Sequence, residues 1–199
     1  MIIYIEGVDG SGKTTLADKI AKMCEKEKIE YDRYAERAIS TKPDSVNRIT
    51  FEELVKKFEF MANDYVLHIL DRGPISDCIY RMFDEYEPVG KLQDYISLFE
   101  KCKGNLIIIY ARTKKAEEMM HKRGDDNPVA IALHRELSKS YDLVMGVINN
   151  YLTSQIILFD FSKRNATNYI VECSKSYAKH TQWYNKGKKS IEKLNKEVK

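Results

Sequence analysis

The sequence predicts a three-layer α/β/α sandwich around a five-stranded parallel sheet, in a single domain that spans all 199 residues. Three observations support this fold. Apolar runs typical of strands alternate with helical patterns, and such alternation implies a parallel sheet with right-handed crossovers. Two of the runs, 106–109 and 156–158, are apolar throughout, as in strands that helices cover on both faces. A glycine-rich segment, 7–14, joins the first strand to the first helix.

The elements follow in order along the chain. Residues 1–6 are mostly apolar and β-branched, which is typical of a strand, and Leu16, Ile20 and Met23 recur at helical spacing in the helix that follows. An Asn-Pro pair at 127–128 suits the cap and first position of the longest helix. The predicted strands are 1–6, 29–34, 65–70, 105–110 and 155–159, and the predicted helices are 13–27, 50–63, 74–84, 89–102, 113–123 and 128–152.

Composition excludes several classes of protein. The chain is 43% hydrophobic, as in globular proteins, and its charges nearly cancel at a net +3, so no nucleic-acid partner is expected. It has no run typical of a membrane span and begins with a strand rather than a signal peptide, so we expect a soluble, cytoplasmic protein. Four scattered cysteines indicate reduced, mostly packed thiols. The basic end, about 181–199, indicates a solvated helix or tail, with a contact to a neighbour or an anionic partner as the alternative.

The segment 7–14 matches G-x-x-x-x-G-K-[ST], the phosphate-binding loop. Its glycines let the backbone approach a phosphate, and successive N–H groups with the N-terminus of the next helix face the anion. From a solvent-facing position Lys13 can reach the β- and γ-phosphates, and the Thr14 hydroxyl suits Mg²⁺, so ATP and Mg²⁺ are the predicted cofactors. The residues predicted to bind ATP are Gly7, Asp9, Gly10, Ser11, Gly12, Lys13, Thr14 and Thr15.

A second polar group follows the third predicted strand. Asp71 and Arg72 come where this strand ends, and ligands of open α/β sheets bind outside the carboxyl ends of strands. Asp71 is therefore a candidate to hold Mg²⁺ together with Thr14, or to orient the acceptor. The planar guanidinium of Arg72 suits a second phosphate. Lys13, Asp71 and Arg72 are the predicted catalytic residues of this edge.

These motifs resemble those of the thymidylate kinases, a family of P-loop nucleoside monophosphate kinases with a five-stranded parallel sheet. The resemblance rests on residues 6–15 and on the pattern Asp71-Arg72-x-x-x-Ser76-x-x-x-Tyr80. It implies that Asp9 hydrogen-bonds the deoxyribose 3′-hydroxyl, that Arg72 binds the acceptor monophosphate, and that Ser76 and Tyr80 lie beside the sugar and base. It also implies a homodimer through apolar helix faces, for which 51–60 offers such a face.

The same resemblance implies a lid at about 112–128. This segment follows the fourth predicted strand and contains Lys122-Arg123-Gly124, similar to the Arg-Gly-containing lid of the family. Because the phosphate loop has no arginine at its centre, the resemblance nominates Arg123 as the catalytic lid cation, with Lys122 as the weaker candidate. A cation that closes over the transferring phosphoryl group stabilises its equatorial oxygens and excludes water.

Three positions depart from the family pattern. Residues 35–40 replace the usual Arg-Glu-Pro-Gly-Gly, so Arg37 would meet the acceptor phosphate from a shifted position. Phe58 or Phe60 in the helix 50–63 could stack on a base, but the arginine that accompanies this phenylalanine in the family is missing. Arg81 replaces an amide that could read a pyrimidine edge, which leaves the base open.

The leading hypothesis is phosphoryl transfer from ATP to a deoxynucleoside monophosphate, dTMP to dTDP. The first alternative is a deoxynucleoside kinase, whose acceptor hydroxyl benefits from a carboxylate base, and Glu36 just beyond the second strand could serve. A nucleotide-binding regulator without turnover, and a kinase of nucleic-acid 5′ ends that uses the basic tail, are further alternatives. The expected partners are small nucleotide substrates and a second copy of the chain, with neither a membrane nor nucleic acid.

Overall fold

In the computed structural model of the protein, the described residues are 1–34, 49–81, 90–102, 104–112, 115–122, 124, 127–152, 156–160 and 167–180. The strands are β1 (Ile2–Glu6), β2 (Tyr31–Tyr34), β3 (Leu67–Asp71), β4 (Leu106–Arg112) and β5 (Ile156–Asp160). The helices are α1 (Lys13–Glu27), α2 (Phe51–Asn63), α3 (Pro74–Arg81), α4 (Leu92–Lys101), α5 (Ala116–His121), α6 (Pro128–Tyr151) and α7 (167–180).

The five strands form one parallel sheet in the order β2-β3-β1-β4-β5. β1 pairs with β3 on one side and with β4 on the other, and Ile5 is in register with both Asp71 and Ile109. The carboxyl ends of these three central strands therefore meet at one edge of the sheet. The predicted three-layer α/β/α fold with a five-stranded parallel sheet is confirmed.

Helices cover both faces of the sheet. Ile2 and Tyr4 of β1 belong to a core cluster with residues of α2, α3, α4 and α6. Ile3 and Ile5, which point the other way, belong to a second cluster with residues of α1 and α7. Every residue of β1 and of β3 is buried, as expected for central strands between two helical layers. The loops that follow these strands are consequently anchored to a well-packed core.

The third strand ends one residue later than the sequence predicted. The predicted strand stops at Leu70, whereas Asp71 pairs with Ile5 and is the last residue of β3. Asp71 is therefore held in the sheet rather than carried on the loop that follows. This difference matters for function, because the ladder fixes where the Asp71 carboxylate lies.

α7 is a helix that the sequence pattern did not predict. Ile170, Ser174 and Ala178 are buried at every fourth position, which is the spacing of one helix face. Only one of these residues is large and apolar, and the Ser174 hydroxyl donates to the Ile170 carbonyl at 2.8 Å. Because the other two buried residues are small or polar, the buried face of α7 lacks the apolar repeat by which a helix is recognised in a sequence. The predicted basic tail, 181–199, lies outside the described residues.

The cysteines agree with the predicted packed thiols. All four are free, and Cys24, Cys78 and Cys102 are buried. Burial raises the pKa of Cys24 to about 12 and that of Cys102 to about 11, so both thiols stay protonated at neutral pH. Within the described ranges, no helix combines the length and the apolar character needed to cross a bilayer.

Candidate active site

The glycines of the phosphate loop give it a backbone path that other residues would not follow. Gly10 and Gly12 have φ values of 75° and 85°, in the left-handed region, and Gly12 is the N-cap of α1. A Cβ atom at Gly7 would lie 2.1 Å from the carbonyl oxygen of Ala111 in β4, so only glycine fits there. The loop therefore lies against the sheet with α1 starting directly behind it, which is the arrangement that binds phosphate.

Lys13 is buried rather than solvent-facing, so that expectation from the sequence is wrong. Its side chain is 5% exposed, and Nζ donates a 2.7 Å hydrogen bond to the Val8 carbonyl within the loop. Burial, together with repulsion from the Arg72 guanidinium, lowers the pKa of Lys13 from 10.5 to about 8, although neighbouring carboxylates act in the opposite direction. The charged lysine is thus held at an electrostatic cost that a bound phosphate would relieve.

Two buried oxygens at this edge, Asp71 Oδ1 and Ser11 Oγ, have no hydrogen-bond partner among the described residues. Asp71 is 2% exposed at the end of β3, whereas Thr14 is exposed in the first turn of α1. Carboxylate and hydroxyl oxygens suit Mg²⁺, which usually completes its octahedron with water and substrate phosphates. The described part of the chain has no cluster of three His, Cys, Asp or Glu side chains that could hold a metal. Asp71 and Thr14 therefore suit a Mg²⁺ ion whose remaining ligands are water and substrate phosphates.

Arg72 has a strained backbone directly after β3. Its φ of 70° lies in the left-handed region, and its N–H donates to the Ile5 carbonyl at 3.0 Å. The guanidinium forms an ion pair with Asp9, donates to the Tyr80 hydroxyl at 3.0 Å and lies 5.4 Å from the centre of the Tyr80 ring. Burial raises the pKa of Tyr80, which stays a neutral phenol. The structure thus brings together Asp9, Arg72 and Tyr80, three residues predicted for the acceptor.

Ser76, which was predicted beside the sugar and base, faces the protein interior. It is buried, and its hydroxyl lies 2.5 Å from the Glu6 carboxylate and 2.6 Å from the Tyr141 hydroxyl. Glu6 is fully buried at the end of β1. Burial raises the pKa of Glu6, and hydrogen bonds from Ser76 and Tyr4 oppose that shift. The sequence assigned no role to Glu6, although a glutamate that ends an apolar strand was a visible signal.

α6 contributes contacts that the sequence did not predict. His134 is buried, and its Nε2 lies 3.0 Å from the carbonyl oxygen of Asp9 in the phosphate loop. A carbonyl oxygen can only accept, so we assign the proton of this pair to Nε2. At the end of β4, Tyr110 and Arg112 donate to Asp142 of α6 at 2.6 and 2.8 Å. α6 is therefore joined to the phosphate loop and to the carboxyl end of β4.

The predicted lid is described in part. α5 is shorter than the predicted helix 113–123. Lys122, the weaker candidate for the lid cation, donates to Glu118 within α5 at 2.7 Å. Arg135 of α6 donates twice to Glu117 of α5, at 2.8 and 2.9 Å. This two-pronged bond links α5 to α6, although exposed ion pairs contribute little to stability.

Other predicted site residues are either in the core or outside the described residues. Phe58 is fully buried in α2, and its ring centre lies 6.2 Å from that of Tyr4 and 5.8 Å from that of Phe99. The structure therefore corrects the prediction that Phe58 contacts a base. Phe60 is 66% exposed on the same helix, and the dimer contact through 51–60 stays a prediction. Outside the described residues lie Glu36, Arg37, Arg123 and the side chain of Arg81.

Neither a protein-family model nor a curated protein matches the sequence. Solved structures resemble the fold. YorR from Bacillus subtilis, in complex with phosphorylated GDP, matches with a TM-score of 0.54 and 16% identity over 88% of this chain and 96% of that chain. Deoxyadenosine kinase from M. mycoides with bound dCTP matches with a TM-score of 0.52 and 20% identity over 88% of this chain and 100% of that chain. At such identities the likeness shows a shared fold, the P-loop α/β/α sandwich.

Proposed function

We propose that the protein transfers the γ-phosphoryl group of ATP to a deoxynucleoside monophosphate, with dTMP as the first candidate. One observation carries this proposal: Lys13 and Arg72 are buried cations at one edge of the sheet, 5% and 7% exposed. Arg72 helps to lower the pKa of Lys13, which means that the two charges repel each other. Buried like charges are unfavourable, and the pKa of Lys13 stays lowered although Asp9 pairs with Arg72. Two phosphates in line, one from the donor and one from the acceptor, would supply further negative charge beside the two cations.

The donor half would bind ATP through the phosphate loop. Its backbone N–H groups and the N-terminus of α1 would face the β- and γ-phosphates, with Lys13 beside them. Thr14 and Asp71 would hold Mg²⁺, which neutralises charge on the phosphates when it is bound. The unpaired Oδ1 of Asp71 supports this assignment, because a buried carboxylate oxygen without a donor favours a cation.

The acceptor half would use the cluster around Arg72. The guanidinium offers a planar fork to the acceptor phosphate, and Asp9, whose side chain is 55% exposed, would accept a hydrogen bond from a sugar hydroxyl. An oxygen of the acceptor phosphate then attacks the γ-phosphorus. The bond from this phosphorus to the β–γ bridging oxygen breaks, and ADP leaves with the electron pair. The attacking oxygen carries no proton, so this reaction needs no general base.

Arg123 is proposed as the lid cation, although it lies outside the described residues. A cation over the transferring group stabilises charge that is spread over three oxygens in the transition state. Arg123→Ala should therefore lower kcat more than it weakens ATP binding. An equal loss in ATP affinity would instead assign Arg123 to ground-state binding of the donor.

A deoxynucleoside kinase is the second candidate, and one observation favours it. Asp9 already pairs with the Arg72 guanidinium, so a phosphate must share or displace that carboxylate, whereas an uncharged acceptor leaves the pair intact. The deoxyadenosine kinase of similar fold adds support for this class. An attacking 5′-hydroxyl must give up its proton, and Glu36 is the proposed base.

A coupled assay of ADP release separates the candidates. It uses ATP and Mg²⁺ with deoxynucleosides, their monophosphates and an oligonucleotide bearing a 5′-hydroxyl. Turnover of dTMP supports the leading proposal, whereas turnover of deoxynucleosides alone supports the second candidate, and a phosphorylated oligonucleotide supports a nucleic-acid kinase. A Lys13→Met variant prepared in parallel should release no ADP, which excludes a contaminating kinase. If ATP binds and no acceptor is phosphorylated, a nucleotide-binding regulator replaces all three.

A further inference from the structure

We infer that Glu6 is a positioning residue: its buried carboxylate, with the Tyr4 hydroxyl, caps the N-terminus of α3 and so sets where Arg72 and Tyr80 stand. This inference rests on the proposed function, because it assigns Glu6 to the acceptor half of the same site. It concerns a group that makes no contact with the reacting atoms. Glu6 is fully buried and acts only through the residues that it holds.

The N-cap residue of α3 has no side chain that could cap the helix. The residue before the helix is Gly73, which has no side chain, and the first helical residue, Pro74, has no N–H. Three backbone donors remain in this turn, those of Gly73, Ile75 and Ser76. The next donor, Asp77 N–H, bonds to the Gly73 carbonyl at 3.1 Å and is therefore already helical.

Two side chains of β1 accept all three of these donors. Glu6 Oε1 accepts from Gly73 N–H at 3.2 Å and from Ser76 N–H at 3.1 Å. The Tyr4 hydroxyl accepts from Ile75 N–H at 2.9 Å and donates in turn to Glu6. Tyr4 and Glu6 are two residues apart on one strand, so they lie on the same face of β1.

The second oxygen of Glu6 extends the cap to α6. Oε2 lies 2.5 Å from the Ser76 hydroxyl and 3.3 Å from the Tyr141 hydroxyl. The carboxylate is thus surrounded by donors from β1, α3 and α6, with no room to approach a substrate. This enclosure is why Glu6 is assigned to positioning rather than to proton transfer.

The cap bears directly on the conformation of Arg72. This residue stands between β3 and Gly73 with a φ of 70°, and such a conformation persists only where the surroundings hold it. Its own N–H is bound by the Ile5 carbonyl, and the N–H of the next residue is bound by Glu6. Loss of the Glu6 acceptor therefore leaves the Gly73 N–H without its hydrogen bond, directly after the turn that orients the Arg72 guanidinium.

A matched pair of variants tests the inference in the whole 199-residue chain. Glu6→Gln keeps an oxygen for the Gly73 and Ser76 amides, whereas Glu6→Leu fills a similar volume with no acceptor. We expect Glu6→Leu to lower kcat/KM for the acceptor about 100-fold, since a misplacement of about 1 Å can have that effect, and to leave ADP affinity unchanged. Glu6→Gln should retain most of the acceptor kcat/KM. Unchanged acceptor kinetics in Glu6→Leu, or an equal loss in both variants, would overturn the inference.

Two further measurements test the inference if Glu6→Leu does not fold or if the protein shows no turnover. If Glu6→Leu does not fold, Tyr4→Phe removes the acceptor of Ile75 N–H while it keeps the ring in the core, and an unchanged acceptor kcat/KM then overturns the inference. Amide hydrogen exchange of Gly73, Ile75 and Ser76 needs no turnover. If the wild-type protein phosphorylates no acceptor, the proposed function fails, but faster exchange of these amides in Glu6→Leu still supports the cap. Unchanged protection of these amides overturns it.

Discussion

Replacement of Lys13 by methionine should stabilise the folded protein while it abolishes phosphoryl transfer. Methionine has a similar length and no charge, so it can occupy the same buried space. The wild-type lysine is 5% exposed, is repelled by Arg72 and keeps one hydrogen bond, to the Val8 carbonyl. Removal of the charge therefore relieves a cost that the unliganded protein carries for the sake of phosphate binding.

The pKa of Lys13 sets the size of the effect. It falls from 10.5 to about 8 on folding. One pKa unit corresponds to about 1.4 kcal/mol, so the charged lysine lowers the free energy of unfolding at pH 7 by about 3 kcal/mol. Loss of the hydrogen bond to Val8 removes about 1 kcal/mol of favourable interaction. The variant should consequently be more stable at pH 7 by about 2 kcal/mol.

The pH dependence gives a second, internal check. The folded-state pKa is the lower one, so the unfolded chain binds more protons between pH 8 and pH 10.5. The free energy of unfolding of the wild-type protein therefore rises with pH in this window relative to that of the variant. At pH 9.5 about 1.4 kcal/mol of the cost remains, so the difference between the two proteins should change by about 2 kcal/mol from pH 7. Groups that titrate alike in both proteins cancel.

Urea unfolding at pH 7 and pH 9.5, at one ionic strength, measures this difference. Lys19→Met is the matched control, because Lys19 is exposed on the same helix, and its effect should be small at both pH values. A Lys13→Met variant that is less stable than wild type at pH 7 would refute the reasoning. So would a stability difference that is the same at both pH values.

Three further predictions concern other parts of the site. Arg72→Ala should raise KM for the acceptor while KM for ATP stays near its wild-type value, as steady-state kinetics can check; an unchanged acceptor KM and kcat would remove Arg72 from the site. Gly7→Ala should lower the free energy of unfolding by more than about 3 kcal/mol, because its Cβ would meet the Ala111 carbonyl at 2.1 Å. The control for this variant is Gly146→Ala, in an open helical position, which should instead stabilise the protein by up to about 1 kcal/mol in the same urea titration. His134→Ala removes a donor to the phosphate-loop backbone and should weaken ADP binding in calorimetry; unchanged affinity would limit that contact to structure.

The parts of the fold that were predictable are those encoded by neighbouring residues. The phosphate loop is contiguous, and the order strand, loop, helix around it can be recognised without knowledge of the rest of the chain. Asp71 and Arg72 became candidates because parallel strands end at one edge, which is a rule of topology rather than of contact. The end of β3 was misplaced by one residue because Asp71 looks like a loop residue, whereas its pairing with Ile5 in β1 keeps it in the strand.

The parts that could not be predicted depend on residues far apart in the sequence. Glu6 and Ser76 are separated by 70 positions, and neither reveals the other in a local pattern. The burial of Lys13 likewise results from packing around the loop, not from the motif, which is compatible with an exposed lysine. Phe58 fits either a core or a base contact at helical spacing, and only the neighbouring rings of Tyr4 and Phe99 decide between them.

α6 links the two halves of the candidate site. His134 contacts the backbone of the phosphate loop, and Tyr141, seven residues later, contacts Ser76 at the start of α3. Seven residues are close to two helical turns, so both side chains project from the same face of α6. A displacement of α6 would therefore move both its contact with the Asp9 carbonyl and its contact with Ser76 of α3. The phosphate loop and α3 are therefore both supported by α6. If they bind donor and acceptor as proposed, a variant in α6 can weaken the binding of both substrates without contacting either.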